Sequence, residues 1–177
     1  MNPIRRLLQV STTIFLLLSV TPGTRAQQGA DYAVQANIIY HFTKYINWPD
    51  DKKSGDFIIG VVSDAPFYSE LKGFMANKTV GGQKIVVREY PASATSFNCR
   101  ILFIGEDGSG SLKKIAAGTM GEPLLLVTES DGLARKGSCI NFTVVDEHLR
   151  LEINKNTIEH RNLGVASELL QLGIPVK

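Results

Sequence analysis

Three short apolar runs constrain this fold more than any other feature of the sequence. They are Phe57–Val62, Arg100–Ile104 and Leu124–Thr128. None of them alternates between apolar and polar residues, which is typical of strands covered on both faces, as in parallel sheets. The chain must therefore supply helices that cover such a sheet.

Helix signals lie between these runs. Asp64 and Pro66 open a helix after the first run, and Ser111 begins another after the second. A β-branched run, Lys84–Tyr90, stands between those helices. The order strand-helix-strand-strand-helix-strand predicts an α/β fold with a mixed, partly parallel sheet of five or six strands and helices on both faces.

The C-terminal third switches to alternating apolar and polar residues. Cys139–Val145 and Leu149–Ile153 alternate around a tight connection, which predicts a β-hairpin. Asn154 can cap a helix that follows the hairpin, and Ala166–Leu172 predicts a second, closing helix.

The segment before the first apolar run predicts an amphipathic helix. Its apolar residues recur at three- or four-residue spacing, as Val34, Ile38, Phe42, Tyr45 and Ile46. Asp31 is the predicted N-cap, and Pro49 ends the helix. His41 lies beside the apolar face and is predicted to be a hydrogen-bonded structural histidine.

The N-terminus has the features of a secretory signal peptide. Arg5 and Arg6 precede an apolar segment, and a small residue, Ala26, marks the predicted cleavage site. Polar residues interrupt the apolar segment, so it falls short of the ~20 apolar residues of a membrane span. We predict cleavage after Ala26 and a single domain over residues 27–177, soluble in the periplasm without direct membrane insertion.

Removal of the signal changes the charge balance. Residues 1–26 hold three arginines and no acid, so the 19 basic residues fall to 16 against 17 acidic residues. A net charge of about −1 gives no electrostatic attraction to nucleic acid or to an anionic bilayer. No nucleic-acid partner is therefore predicted.

No sequence pattern indicates catalysis or metal binding. The three histidines, His41, His148 and His160, share no metal-type spacing with Cys, Asp or Glu. No serine stands in a Gly-x-Ser-x-Gly turn. The acidic residues are scattered singly or as adjacent pairs, so no carboxylate dyad is predicted. We expect no enzyme activity, no metal and no cofactor.

A glycine-rich turn over residues 105–111 offers an alternative function as a ligand-binding site. Backbone N–H groups of Gly108, Ser109, Gly110 and Ser111 could hold an anion. The Walker pattern, however, needs a lysine where this chain has Ser111, and Glu106 and Asp107 add negative charge. A plain connection between a strand and a helix is the favoured interpretation.

Asn47-Trp48-Pro49 places the only tryptophan of the chain at a helix end. The favoured interpretation is a core residue that seals the end of the sheet. The alternative is an aromatic anchor for a partner, since Trp and Tyr are over-represented at binding hot spots. The candidate partner-binding residues are Tyr45, Trp48 and Pro49.

Cys99 and Cys139 are the only cysteines, and we predict that they do not pair with each other. The nine residues from Glu129 to Gly137 are fewer than the dozen or so that a parallel crossover usually needs. The strand at Cys139 is therefore predicted to run antiparallel to the earlier strands, with the two thiols at opposite ends of the sheet. A disulfide tolerates Cα atoms no more than about 7 Å apart.

Seven segments in order make the chain resemble the YfiR family of periplasmic regulators along nearly all of residues 27–177. They are Phe42-x-x-Tyr45-x-x-Trp48-Pro49, Phe57–Val62 with Asp64-x-Pro66-Phe67, Cys99–Ile104, Leu124–Thr128, Gly137–Phe142, Leu151–Asn154 and Ala166–Leu170. The resemblance implies a non-catalytic α/β sandwich that represses a membrane-bound diguanylate cyclase of the YfiN type by binding its periplasmic part. It also implies homodimers and sensitivity to redox state.

One departure from the family affects that redox sensitivity. Many members have a cysteine where this chain has Gly60, so the disulfide that the resemblance implies between that strand and Cys99 cannot form. The leading hypothesis is a regulator whose partner is an inner-membrane signalling protein, either a diguanylate cyclase or a sensor kinase. The second hypothesis is a small-ligand protein that uses the glycine-rich turn.

Overall fold

The computed structural model describes residues 23–177, with side chains described from residue 31 onward. The helices are α1 (Gly23–Tyr45), α2 (Ala65–Met75), α3 (Leu112–Gly118), α4 (Lys155–Glu159) and α5 (Ser167–Leu172). The strands are β1 (Ile46–Asn47), β2 (Phe57–Val62), β3 (Thr79–Val80), β4 (Gln83–Tyr90), β5 (Ile101–Ile104), β6 (Leu125–Thr128), β7 (Ile140–Val145), β8 (His148–Ile153), β9 (Gly164–Val165) and β10 (Ile174–Pro175). Short 3-10 helices span Asp50–Lys52, Glu106–Ser111 and Leu133–Lys136.

Within residues 23–177, eight strands form one mixed sheet in the order β10-β8-β7-β6-β5-β2-β4-β3. The central strands β4, β2, β5, β6 and β7 are parallel to one another, and β3 and β8 join them antiparallel at either side. Strands β1 and β9 form a separate antiparallel pair. The predicted α/β class with a mixed, partly parallel sheet is confirmed, and the strands beyond the predicted six are the two-residue edge strands β3 and β10.

Helices cover this sheet on both faces, as predicted. The β2-α2-β4 and β5-α3-β6 connections leave the centre of the sheet in opposite directions. Because such crossovers are right-handed, their helices lie on opposite faces. All residues of β2, β5 and β6 are buried between the two layers. Among the described helices, none combines the length and apolarity of a membrane span.

The predicted direction of the strand after Cys139 is wrong. Strand β7 runs parallel to β6, with Val127 opposite Ile140. The short connection makes this crossover through the 3-10 helix Leu133–Lys136, which is flanked by Gly132 and Gly137, both with positive φ. Two left-handed glycines reverse the chain in fewer residues than an α-helical crossover requires.

The predicted C-terminal hairpin and the following helices are confirmed. Strands β7 and β8 pair antiparallel, and Asp146 and Glu147 both have positive φ, as a tight two-residue turn requires. The Asn154 side chain accepts the Thr157 N–H at 3.0 Å and caps α4. After α5, the chain adds the edge strand β10 parallel to β8.

Helix α1 is rotated relative to the predicted face. Ala36, Ile39 and Phe42 are fully buried, whereas Val34 is 50% exposed. Asp31 also lies inside α1 and does not cap it, because the helix begins at Gly23. The predicted stripe mixes two faces: one packs on the core, and the other retains apolar residues at the surface.

The signal-peptide prediction concerns residues 1–26, and residues 1–22 lie outside the described part of the chain. The C-terminal part of that prediction, including Ala26, falls within α1.

Candidate partner-binding groove and sheet-edge cleft

The second apolar face of α1 borders a groove, which we name the hairpin groove. Its cavity measures about 330 Å³ and lies between α1, β8 and α5. It is lined by Ile38, His41, Phe42, Tyr45, Leu149, Arg150, Leu151, Leu169 and Leu172. Apolar side chains of three elements thus meet at a place that no described element covers.

Exposed apolar side chains extend the hairpin groove. Leu172 is 67% exposed and Val144 is 68% exposed. Val144 is the cross-strand partner of Leu149, so the two side chains share one face of the hairpin. Contiguous exposed apolar surface of this kind marks interaction sites in soluble proteins.

Of the predicted partner-binding residues, only Tyr45 lines this groove. Its ring stacks with that of His41, with centroids 6.3 Å apart. His41 is exposed and lines the same groove, and its predicted role as a hydrogen-bonded structural histidine stays a prediction.

Trp48 and Pro49 lie elsewhere. Trp48 is buried, at 7% exposure, and packs edge-on against Phe57 with ring centroids 5.1 Å apart. It borders a different cavity, of about 210 Å³, together with Lys44 and Lys52. Pro49 is half-buried and precedes the 3-10 helix Asp50–Lys52. The structure therefore places Trp48 in the core, as the favoured interpretation expects.

The glycine-rich turn is a 3-10 helix over Glu106–Ser111, and its chain continues into α3. The Ser111 hydroxyl donates to the Gly108 carbonyl at 2.6 Å, inside the turn. The Glu106 N–H donates to a carboxylate of the same chain, Glu129, at 3.0 Å. These contacts argue against an anion at this turn, although the ligand-binding hypothesis for it stays a prediction.

That Glu129 contact belongs to a carboxyl pair which the sequence patterns do not predict. The carboxyl groups of Asp64 and Glu129 lie close enough for each to affect the pKa of the other. Glu129 also accepts the Gln35 side-chain amide at 3.3 Å, and Asp64 accepts the Phe67 N–H at 2.9 Å. The structure thus brings together two acids that are scattered singly along the sequence.

The pair lies where three parallel strands end. Asp64 follows β2 and Glu129 follows β6, on either side of the end of β5. Gly105 follows β5, and a Cβ atom there would meet the Asp64 Cβ at 2.7 Å. The absence of a side chain at Gly105 thus allows the close approach of Asp64.

This carboxyl pair opens onto a cleft of about 570 Å³, which we name the sheet-edge cleft. Its lining residues are Tyr32, Ser63, Asp64, Ala65, Pro66, Glu89, Glu106, Asp107 and Glu129. The chain connections from β2 and β5 diverge here, and such a switch point is where ligands bind in open α/β sheets. No described group of His, Cys, Asp and Glu side chains is arranged to hold a metal ion.

Burial perturbs both acids of the pair. It raises the pKa of Glu129 to about 7, and the neighbouring Asp64 charge adds to that rise. Burial also raises the pKa of Asp64, against the hydrogen bond from Phe67. A carboxyl group with a pKa near neutrality can exchange a proton at physiological pH.

A sequence signal for this pair does exist. An acidic residue follows each of three predicted buried strands within two positions, as Asp64, Glu106 and Glu129. The carboxyl ends of parallel strands meet at one edge of a sheet. Parallel strand order, rather than spacing along the chain, brings these acids together.

The two thiols lie too far apart to pair, for a different reason from the one predicted. Cys99 and Cys139 both precede parallel strands and so sit toward the same end of the sheet. One strand, β6, separates them, and they are offset by three residues along it. Their separation is two strand spacings of ~4.8 Å across the sheet and three residue rises of ~3.3 Å along the strands. The two Cα atoms therefore lie about 14 Å apart.

Both cysteines are free and buried. Burial raises the pKa of the Cys99 thiol to about 12 and that of the Cys139 thiol to about 11. The Cys99 thiol contacts the backbone of Gly60, the position where the family resemblance implies a disulfide partner. The thiolate is the reactive form of cysteine, so both thiols are unreactive in the folded protein.

We predict that reducing agent leaves the melting temperature of the native protein unchanged. Neither thiol should react with a thiol reagent until the protein unfolds, because both are buried and protonated. Mass spectrometry of non-reduced monomer and thiol titration with and without urea check this. A peptide that links Cys99 to Cys139 would contradict the parallel placement of β7.

A family model described as YfiR/HmsC-like matches residues 32–174. The match begins in α1 and ends at the first residue of β10, so it includes both the hairpin groove and the sheet-edge cleft. No curated protein sequence matches the chain significantly.

Proposed function

The chain belongs to the YfiR/HmsC-like family, and we propose that it is a non-catalytic periplasmic protein that binds and represses a membrane signalling protein. The proposed partner is the periplasmic part of a YfiN-type diguanylate cyclase. A sensor kinase is the alternative partner. The family assignment supports regulation of diguanylate cyclase signalling in the periplasm.

We also propose which processed and oligomeric form of the protein is active. Export depends on a signal peptide cleaved after Ala26, which leaves residues 27–177 as a single domain. This domain acts as a homodimer. Sequencing the N-terminus of the exported protein and sedimentation analysis of the purified protein test these two statements.

The hairpin groove is the feature of the structure that best supports partner binding. Val144 and Leu172 expose most of their apolar surface, and Tyr45 lines the groove together with Leu172. Burying such surface against a partner is favourable by about 25 cal/mol per Å². An aromatic residue with apolar neighbours is the usual composition of a binding hot spot.

We predict that Val144→Asp combined with Leu172→Asp lowers recovery of the membrane partner at least tenfold. Each change places a charge in an apolar interface without altering the core, so the melting temperature should stay nearly unchanged. Co-purification from detergent-solubilised membranes, in cells that make both proteins, measures the recovery.

Met120→Asp is the matched control, because Met120 is 79% exposed and lies outside the hairpin groove. It should leave recovery unchanged. Equal recovery with the double variant and the unaltered protein would exclude the hairpin groove as the interface. Recovery of no membrane protein above background by the unaltered protein would count against the regulator proposal itself.

The small-ligand function remains the second candidate, with the sheet-edge cleft as the observation that favours it. The cleft lies at the switch point of the sheet and contains the Asp64–Glu129 carboxyl pair, in which burial raises both pKa values. Its walls carry several acids, so a cationic ligand suits it better than an anion. A thermal-shift screen of amines against the purified protein tests this candidate, since a ligand at 100 times its Kd stabilises by roughly 2.7 kcal/mol.

A further inference from the structure

A third cavity, of about 310 Å³, lies between α3, the 3-10 helix Leu133–Lys136 and the end of α4. We name it the basic cavity. Its lining residues are Lys113, Ala116, Ala117, Met120, Gly121, Lys136, Gly137, Thr157, His160 and Arg161. It shares none of them with the hairpin groove or the sheet-edge cleft. No carboxylate is among these described residues.

Arg161 is the buried charge of this cavity, at 5% exposure. Its Nη1 donates to the backbone oxygen and the hydroxyl of Thr119 at 3.0 and 3.1 Å, and its Nη2 donates to the Ala116 carbonyl at 3.2 Å. All of these acceptors are uncharged. A guanidinium has five N–H donors, so these bonds leave some of them unused.

No ion pair within the described chain neutralises the positive charge of the cavity, although the nearby charge of Glu122 opposes the lowering of the Arg161 pKa by burial. None of Lys113, Lys136 and Arg161 forms an ion pair with a carboxylate among residues 31–177. Buried arginines are normally paired with an anion, because an unpaired buried charge is costly. Three permanent positive charges around one cavity therefore favour a multiply charged anion.

Part of the cavity wall is apolar. Ala116, Ala117 and Met120 line it, and a flexible methionine adapts to ligands of different shape. The cavity is also larger than an inorganic phosphate ion needs. An anion that carries an organic group would use both the cationic and the apolar parts of the wall.

We propose that the basic cavity binds a small organic phosphate monoester, with the phosphate at Lys113, Lys136 and Arg161 and the organic group against Ala116 and Met120. A phosphate monoester carries nearly two negative charges at neutral pH and offers several acceptor oxygens. Arginine and lysine are the usual ligands of such groups. This site is independent of the partner-binding function proposed above.

Phenyl phosphate is the probe, because it combines a phosphate monoester with an apolar ring. Titration calorimetry of the purified protein should give saturable binding of phenyl phosphate, weaker binding of inorganic phosphate and none of phenol. Lys113→Glu combined with Lys136→Glu should weaken phenyl phosphate binding at least tenfold without changing the melting temperature. Both lysines are exposed, so these changes leave the core intact.

Lys84→Glu combined with Lys114→Glu is the matched control, because it makes the same change in net charge with exposed lysines outside the cavity. Unchanged binding in this control supports the site. Equal weakening in both double variants, or no saturable binding of phenyl phosphate, would overturn it.

The phosphate monoester could be a soluble metabolite or a lipid headgroup. A vesicle-binding experiment distinguishes these two sources. Sedimentation with vesicles that contain phosphatidic acid, but not with pure phosphatidylcholine vesicles, would assign a lipid source. Binding of phenyl phosphate without sedimentation would assign a soluble ligand. In either case the Lys113/Lys136 double variant must lose the interaction, and its persistence would refute the assignment to this cavity.

Discussion

Replacing Trp48 by alanine should lower the free energy of unfolding by about 3–5 kcal/mol. Trp48 is only 7% exposed, and its ring packs edge-on against Phe57. Truncation would remove this packing and leave a cavity between α1 and β2. Urea unfolding followed by far-UV circular dichroism measures the change, because Trp48 is the only tryptophan and its fluorescence would be lost.

Trp48→Phe is the control that separates packing from hydrogen bonding. The indole N–H of Trp48 has no hydrogen-bond acceptor among the described residues. Losing it should therefore cost little, and Trp48→Phe should cost less than about 1.5 kcal/mol. Unchanged stability of the alanine variant together with lost partner recovery would instead make Trp48 an anchor for the partner.

Replacing Glu129 by glutamine should flatten the dependence of stability on pH. Burial raises the pKa of Glu129 from 4.5 to about 7, so the folded protein binds this proton more tightly than the unfolded chain does. The resulting stability is fully present below about pH 4.5 and is lost as the pH rises through about 7. We expect the free energy of unfolding of the unaltered protein to fall between pH 5 and pH 8 by roughly 1–3 kcal/mol through this group.

The glutamine variant keeps the shape of the side chain and can donate an N–H to Asp64, but it cannot ionise. It should be more stable than the unaltered protein at pH 8 and similar to it at pH 5. Other groups around the pair are Gln35 and Tyr32 of α1 and the acids Glu89, Glu106 and Asp107 of the cleft. Only the difference between variant and unaltered protein therefore isolates Glu129.

Glu106→Gln is the matched control, since it removes an exposed acid from the same cleft. Its pH profile should follow that of the unaltered protein. Urea unfolding at a series of pH values measures all three proteins. A Glu129→Gln profile as steep as that of the unaltered protein would contradict the raised pKa of Glu129.

Local patterns in the sequence predict the elements and much of the sheet. The unbroken apolar runs at Phe57–Val62 and Leu124–Thr128 become fully buried strands, because only strands covered on both faces exclude polar residues from both sides. Asp64 and Asn154 cap the helices that follow them. The hairpin follows from alternation, which needs only neighbouring residues to be recognised.

The tertiary structure decides what depends on residues distant in sequence. The direction of β7 rests on two glycines with positive φ, and counting loop residues cannot predict such a path. Asp64 and Glu129 meet because their strands flank β5, and burial in that position raises the pKa of both acids. The rotation of α1 is set by whichever face packs best, since a helix with two apolar stripes can bury only one of them against a single sheet.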